Sequence, residues 1–292
     1  MRKTVAVLAT AALSLAICQA FAHSIPFPDL RRTYLPDGKS RELGDLIDLL
    51  KLGVNYTPYL LGRYLNSGDV LYVEQIRASS EAVDQYLKSV GKSVNNDQEK
   101  ELFVKLTAGC QTLKENIANN VKAIGEFRIA ARAFDERFGA LLERIESDIE
   151  ALDERAWGTD KTSDSPTMRL LDNIRVSLLK AASLSRMASG GQADESRRKK
   201  AREMWDVAVR QADLFATAAS SDREKKMAAT LQIDLKRTAQ RGRNILIRGE
   251  ELNQAWQETL AGVESIESLI EGHSAPKKPA AQPEPDKALP AK

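Results

Sequence analysis

Between Leu102 and Leu152 an apolar residue recurs every three or four positions without a break, at 102, 106, 110, 113, 117, 121, 124, 127, 131, 134, 138, 141, 145, 149 and 152. Such spacing is the buried stripe of an α-helix that is packed along its whole length. With Asp97 as its expected cap, the helix covers 97–156 and would reach about 90 Å at 1.5 Å per residue. A compact globule cannot house that rod. The expected fold is therefore all-α, an elongated helical bundle of about six helices, two of them very long.

The neighbouring segments also read as helices, and no period-two alternation is long enough for a strand. Ser40 is the expected cap of a first helix with the stripe Leu43, Leu46, Ile47, Leu50 and Val54. Pro58 should kink or restart that helix, which resumes through Leu60–Leu65. Asn66-Ser67-Gly68-Asp69 reads as a turn, with Asp69 capping a second helix that carries Tyr72, Ile76, Val83, Leu87 and Val90 and ends around Gly91 and Asn95-Asn96. After a loop over Gly158–Pro166 comes a fourth helix (Leu170, Leu171, Ile174, Leu178, Met187) that ends at Gly190-Gly191. A fifth helix is expected over roughly Asp194–Ala218, and a sixth from a capping Asp222 to about Glu271.

The two halves repeat this order of helix, turn, helix, turn, very long helix. Asp97-Gln98-Glu99-Lys100 and Asp222-Arg223-Glu224-Lys225 open the long helices 125 residues apart, Leu106 matches Leu231, and Arg63 and Arg186 each precede a turn. A two-fold repeat of three helices follows as an expectation, with halves at 40–157 and 166–271.

The ends have different compositions. Arg2 and Lys3, the apolar run Val5–Ile17 and the exit Ala20-Phe21-Ala22 have the three parts of a secretory signal peptide over residues 1–22, cleaved after Ala22. The expected location is the periplasm. Residues 23–39, with Pro26, Pro28 and Pro36, read as an extended lead-in, and 272–292 as a Pro/Ala/Lys tail too poor in apolar residues to fold. Without the leader, basic and acidic residues balance at 41 each. That removes the electrostatic basis for a nucleic-acid partner. Cys110 then has no cysteine to pair with, and its neighbours Leu106, Leu113 and Ile117 mark it as a buried small hydrophobe.

Catalytic chemistry finds little to work with. The two histidines, His23 and His273, lie near opposite ends, and no nucleophile–base set or phosphate-binding glycine loop can be built around them. Acidic residues are numerous but sit three or four positions from basic ones, as in Glu101–Lys105 and Arg132–Glu136, which reads as solvated charge. The bracketed run Arg197–Lys200 reads the same way, and Trp157, Trp205 and Trp256 read as core or helix-end anchors. His23 at a new N-terminus could chelate copper, but one terminal histidine makes no site. Neither cofactor nor metal is expected, and the chain is read as no enzyme.

All six tyrosines (Tyr34, Tyr56, Tyr59, Tyr64, Tyr72, Tyr86) fall within 53 residues. Asn55, Tyr56, Tyr59, Arg63 and Tyr64 flank the Pro58 break. Two readings follow. A kinked helix could open a gap in which the hydroxyls and the guanidinium bind a small carboxylate. Alternatively, the rings simply pack the first hairpin with their hydroxyls in water.

Arg63-Tyr64-Leu65-Asn66-Ser67-Gly68-Asp69, followed by Tyr72, Glu74 and the helix start Asp97-Gln98-Glu99-Lys100, resembles the extracytoplasmic helical-bundle sensing domains of bacterial chemoreceptors and sensor kinases, in their two-module, six-helix form. The resemblance covers about 40–271. It implies a small ligand, often an organic acid, bound between helices, and a shift relayed to a second membrane span. This chain has no second apolar span, linker domain or signalling coiled coil, so sensing would need an envelope or inner-membrane protein partner. The contrasting expectation is an envelope adaptor whose bundle holds two components apart. A homodimer is a further expectation, since such bundles often pair through a leftover stripe.

Overall fold

The computed structural model describes residues 43–156, 166–189 and 195–274. The leader, the lead-in, Ser40, the loop after Trp157, the Gly190-Gly191 turn and the tail from residue 275 lie outside the described residues. Six helices follow one another: α1 (Leu43–Ser67), α2 (Val70–Ser93), α3 (Asp97–Ala156), α4 (Pro166–Ala188), α5 (Glu195–Ala218) and α6 (Asp222–Ser274). Among the described residues there is no strand, and no helix is long and apolar enough to cross a membrane.

The two long helices contain 60 and 53 residues, about 90 and 80 Å of rod. They run antiparallel and share the longest interface in the molecule. The register is visible in pairs that descend on one helix as they climb on the other. Gly109 lies against Ile266, Gly262 against Leu113, Asn116 donates to the Glu258 carbonyl, Glu126 pairs with Arg248 at 2.7 Å, and Arg137 and Arg144 both hold Asp234. All fifteen positions of the sequence-derived stripe on α3 are buried or half-buried.

Two large cores form along this pair, with a small third cluster of Ala188, Ala201 and Leu246. One joins α1 and α2 to α3 as far as Ile124 and to α6 from Leu252 onward. The other joins α4 and α5 to α3 between Phe134 and Ile145 and to α6 between Ala228 and Ile245. Phe127 packs against both. Each short hairpin therefore rests on its own long helix and on half of the other one. The order short, short, long helix recurs, but the packing units interlock between the two sets.

The helix starts sharpen the repeat. Asn96 Oδ1 accepts from the Glu99 amide at 2.9 Å while Glu99 Oε2 accepts from the Asn95 amide at 2.7 Å. Ser221 Oγ accepts from the Glu224 amide at 3.2 Å while Glu224 Oε2 accepts from the Ser221 amide at 2.9 Å. The second is a capping box; the first, 125 residues earlier, is a variant in which Glu99 reaches one residue further back, and in both the cap oxygen satisfies an amide of the first helical turn. The caps are therefore Asn96 and Ser221; Asp97 and Asp222 are the first helical residues, where their charge favours the positive end of the dipole. Asp69 does cap α2, accepting from the Leu71 amide at 2.9 Å.

Pro58 does not restart α1, which continues through it as one helix of 25 residues. Val54, Leu60 and Leu61 are fully buried on either side, and that packing outweighs the lost hydrogen bond. At the other turn, Gly68 has φ of 69°, a conformation that favours glycine, and Arg128 of α3 lies over it. Arg128 donates to the carbonyls of Leu65 at 2.7 Å and Ser67 at 3.2 Å, which otherwise end α1 unpaired. The second core is centred on Trp205. Its ring stands edge-on to Phe134 (centroids 5.8 Å apart, 89°), and its Nε1 donates to Ser185 Oγ at 2.9 Å.

Candidate functional site

Helical geometry divides the five candidate residues. At about 100° per residue, positions 56, 59 and 63 share one side of α1, while 55 and 64 fall on the two flanks. The structure follows that division.

Asn55 is exposed and turns to the end of α6, where its Nδ2 donates to Glu267 Oε1 at 2.7 Å. Lys51 does the same one turn earlier, meeting Glu271 at 2.9 Å. Tyr64 is half-buried in the first core and faces α3 near Gly125. Neither residue joins the others.

Tyr56, Tyr59 and Arg63 do come together, and Tyr72 of α2 completes the group. The rings of Tyr56 and Tyr59 stack with centroids 5.6 Å apart and planes at 24°. Burial pushes the Tyr56 phenol pKa up, and the neighbouring Tyr59 and Tyr72 add to that. Arg63 donates from Nε at 3.1 Å and from Nη2 at 2.8 Å to the single hydroxyl oxygen of Tyr72. Its guanidinium carbon lies 5.4 Å from the Tyr72 ring centroid. These bonds, with the fields of Tyr72 and Tyr59, hold Arg63 still more firmly protonated.

Arg63 shares two features with Arg128, but Arg128 spends its donors on the carbonyls of Leu65 and Ser67. Arg63 is half-buried, and no carboxylate lies within ion-pair distance of it among the described residues. Its counterpart in the other half, Arg186, stacks over Phe134 and Phe138 but is neutralised by Asp135 at 2.8 Å. The Nε–Nη2 edge of Arg63 has the fork geometry that suits a carboxylate, and a neutral phenol fills it here. Tyr72 was missing from the sequence-derived set because it reaches Arg63 only through the Gly68–Asp69 turn. The signal was present in that turn, which folds position 72 back onto the last turn of α1.

Surface ion pairs occur along the other helices. Glu101 and Lys105 meet at 2.7 Å, whereas Arg132 and Glu136 form no ion pair, in keeping with the weaker basic-before-acidic order on a helix. Within the run at the start of α5, Glu195 binds both Arg198 and Arg202 at 3.0 Å. Cys110 is buried, and burial with the nearby Asp84 pushes its pKa up to about 11. Among the described residues no three His, Cys, Asp or Glu side chains stand close enough to share a metal ion.

No protein-family model matches this chain, and no curated protein matches it at a significant level.

Proposed function

We propose that this chain is a non-catalytic, exported helical-bundle protein of the periplasm that binds a small carboxylate at Arg63 and docks on an envelope or inner-membrane partner. The observation that carries the reading is the half-buried Arg63, whose fork is met by one phenol and by no acid. Tyr56, Tyr59 and Tyr72 add hydroxyls and ring faces suited to a short organic acid. The export element rests on the leader pattern of residues 1–22.

The test is a thermal-shift screen of short mono- and dicarboxylates against the wild-type chain, Arg63→Gln and Arg186→Gln. A ligand present at 100 times its Kd adds about 2.7 kcal/mol to stability. The wild type and Arg186→Gln should melt higher with at least one acid, and Arg63→Gln should not. A panel without any response, or a response that survives Arg63→Gln, defeats the proposal.

The adaptor reading has its own support in the two large cores on one antiparallel pair of rods, an arrangement suited to holding two partners at a set spacing. It expects partner capture from envelope extracts that is indifferent both to carboxylates and to Arg63→Gln.

A further inference from the structure

The last helix, α6, is divided by charge. Residues 222–248 hold eight Lys or Arg against three acids, whereas residues 249–274 hold six Glu and no Lys or Arg. Part of that charge is neutralised within the chain, as in Arg243–Asp206 and Lys51–Glu271. Part of it faces outward. Ile233, Arg237, Gln240, Ile247, Glu251 and Glu258 recur at spacings of three, four or seven and are all exposed. They share one side of α6, which no described helix covers.

A matching side of α3 carries Lys122, Ile129 and Glu136, seven residues apart and exposed. Glu126 and Arg248 pair at 2.7 Å and so fix the relative height of the two antiparallel helices. Ile129 lies three residues beyond Glu126, and Ile247 one residue before Arg248, in the same direction along the rods. The two positions therefore stand within about 3 Å of the same height. Ile129 is 73% exposed and Ile247 49%. Two large apolar side chains thus meet water at the height of Phe127, where the two large cores join.

We propose that this face binds a second copy of the chain, antiparallel, about a two-fold axis that passes between Ile129 and Ile247. Such an axis lays α3 on α3 and α6 on α6, each running against its equivalent, and gathers four isoleucines at the centre. Residues equally far before and after the isoleucines then meet. Lys122 falls on Glu136 of the second copy, seven positions to either side of Ile129. Arg237 falls beside Glu258 of the second copy, ten before and eleven after Ile247, and Ile233 falls on the exposed Ala261, fourteen to either side. Arg237, Glu136 and Glu258 form no ion pair among the described residues, and Lys122 meets Glu126 only at 4.0 Å. The basic half of each α6 covers the acidic half of the other, and that self-complementarity is what selects a second copy. The dimer does not involve Arg63 and stands or falls apart from the proposed function.

Sedimentation velocity of the full chain across the micromolar range, at low and high salt, reads the assembly. A reversible dimer that weakens as salt rises is expected. Ile247→Glu, at an exposed position, should keep the helix content and abolish the dimer. Arg237→Glu and Glu258→Arg should each weaken the dimer at least about tenfold, since every substitution acts twice in it, and the double variant should restore it. A chain that stays monomeric overturns the proposal, as does a dimer that survives Ile247→Glu. A double variant weaker than either single one refutes the antiparallel register, because that register is what brings position 237 over 258.

Discussion

Replacing Gly68 with alanine would load two penalties onto one methyl group. Gly68 holds φ of 69°, and a residue with a Cβ loses about 1 kcal/mol in that left-handed conformation. The new Cβ would also overlap the Arg128 guanidinium, so the arginine must leave the carbonyls of Leu65 and Ser67. Hydrogen bonds from a charged donor contribute about 1.5–3 kcal/mol when well buried. One of these is part-buried and the other exposed, so about 1–2 kcal/mol for the pair is the appropriate scale. Gly68→Ala should therefore cost about 2–3 kcal/mol. In an Arg128→Ala background the clash with the guanidinium is gone, and the backbone term of about 1 kcal/mol should remain. Urea denaturation followed by helix circular dichroism, run on the four proteins of the cycle, measures the difference. A coupling of about 1–2 kcal/mol is expected. Equal costs of Gly68→Ala with and without Arg128 would show that the guanidinium does not sit over the turn, and the account of how α1 ends would fail.

Acid should weaken the start of α6 in a defined window. Burial alone would raise the Glu224 pKa, but hydrogen bonds from the amides and hydroxyls of Ser220 and Ser221 outweigh it and hold the carboxyl at about 2, against an ordinary 4.5. A depressed carboxylate pKa contributes stability that is complete above about pH 4.5 and drains away as the pH falls toward 2. The melting-temperature gap between wild type and Glu224→Gln should accordingly narrow from pH 6 to pH 2, and a constant gap would contradict the capping box. Cys110, with its pKa pushed up to about 11, should stay a thiol at pH 8. In a Cys18→Ser chain an aromatic disulfide reagent should label it only after urea unfolding, and labelling of the folded protein at the rate of a free thiol would refute its burial.

Local rules succeeded where burial and local preference agree. The stripe on α3 was readable because a helix that is covered along its length must present an apolar residue at nearly every turn, from Leu102 to Leu152. The caps of the long helices were misplaced by one residue because Asp97 and Asp222 are themselves favourable in a first turn, which hides the Asn96–Glu99 and Ser221–Glu224 pairs beside them. The restart expected at Pro58 did not occur, for a different reason. The proline's penalty is local, while the packing of Val54, Leu60 and Leu61 that offsets it is contributed by other helices. The candidate site was half legible. Helical angle separates Tyr64 from Tyr56, Tyr59 and Arg63, but only the tertiary structure turns Asn55 to Glu267 and brings Tyr72 to the guanidinium.

By itself the order of residues determined six helices, two of them very long, and a repeat of helix, turn, helix, turn, long helix, because periodicity and turn chemistry act over a few neighbours. Tertiary structure alone decided that the long helices run antiparallel, that each of the two large cores draws on both halves, and that Arg63 faces a phenol while Arg186 faces an acid. Those outcomes depend on contacts between residues far apart in the chain, and no local preference encodes which distant surface a buried stripe will meet.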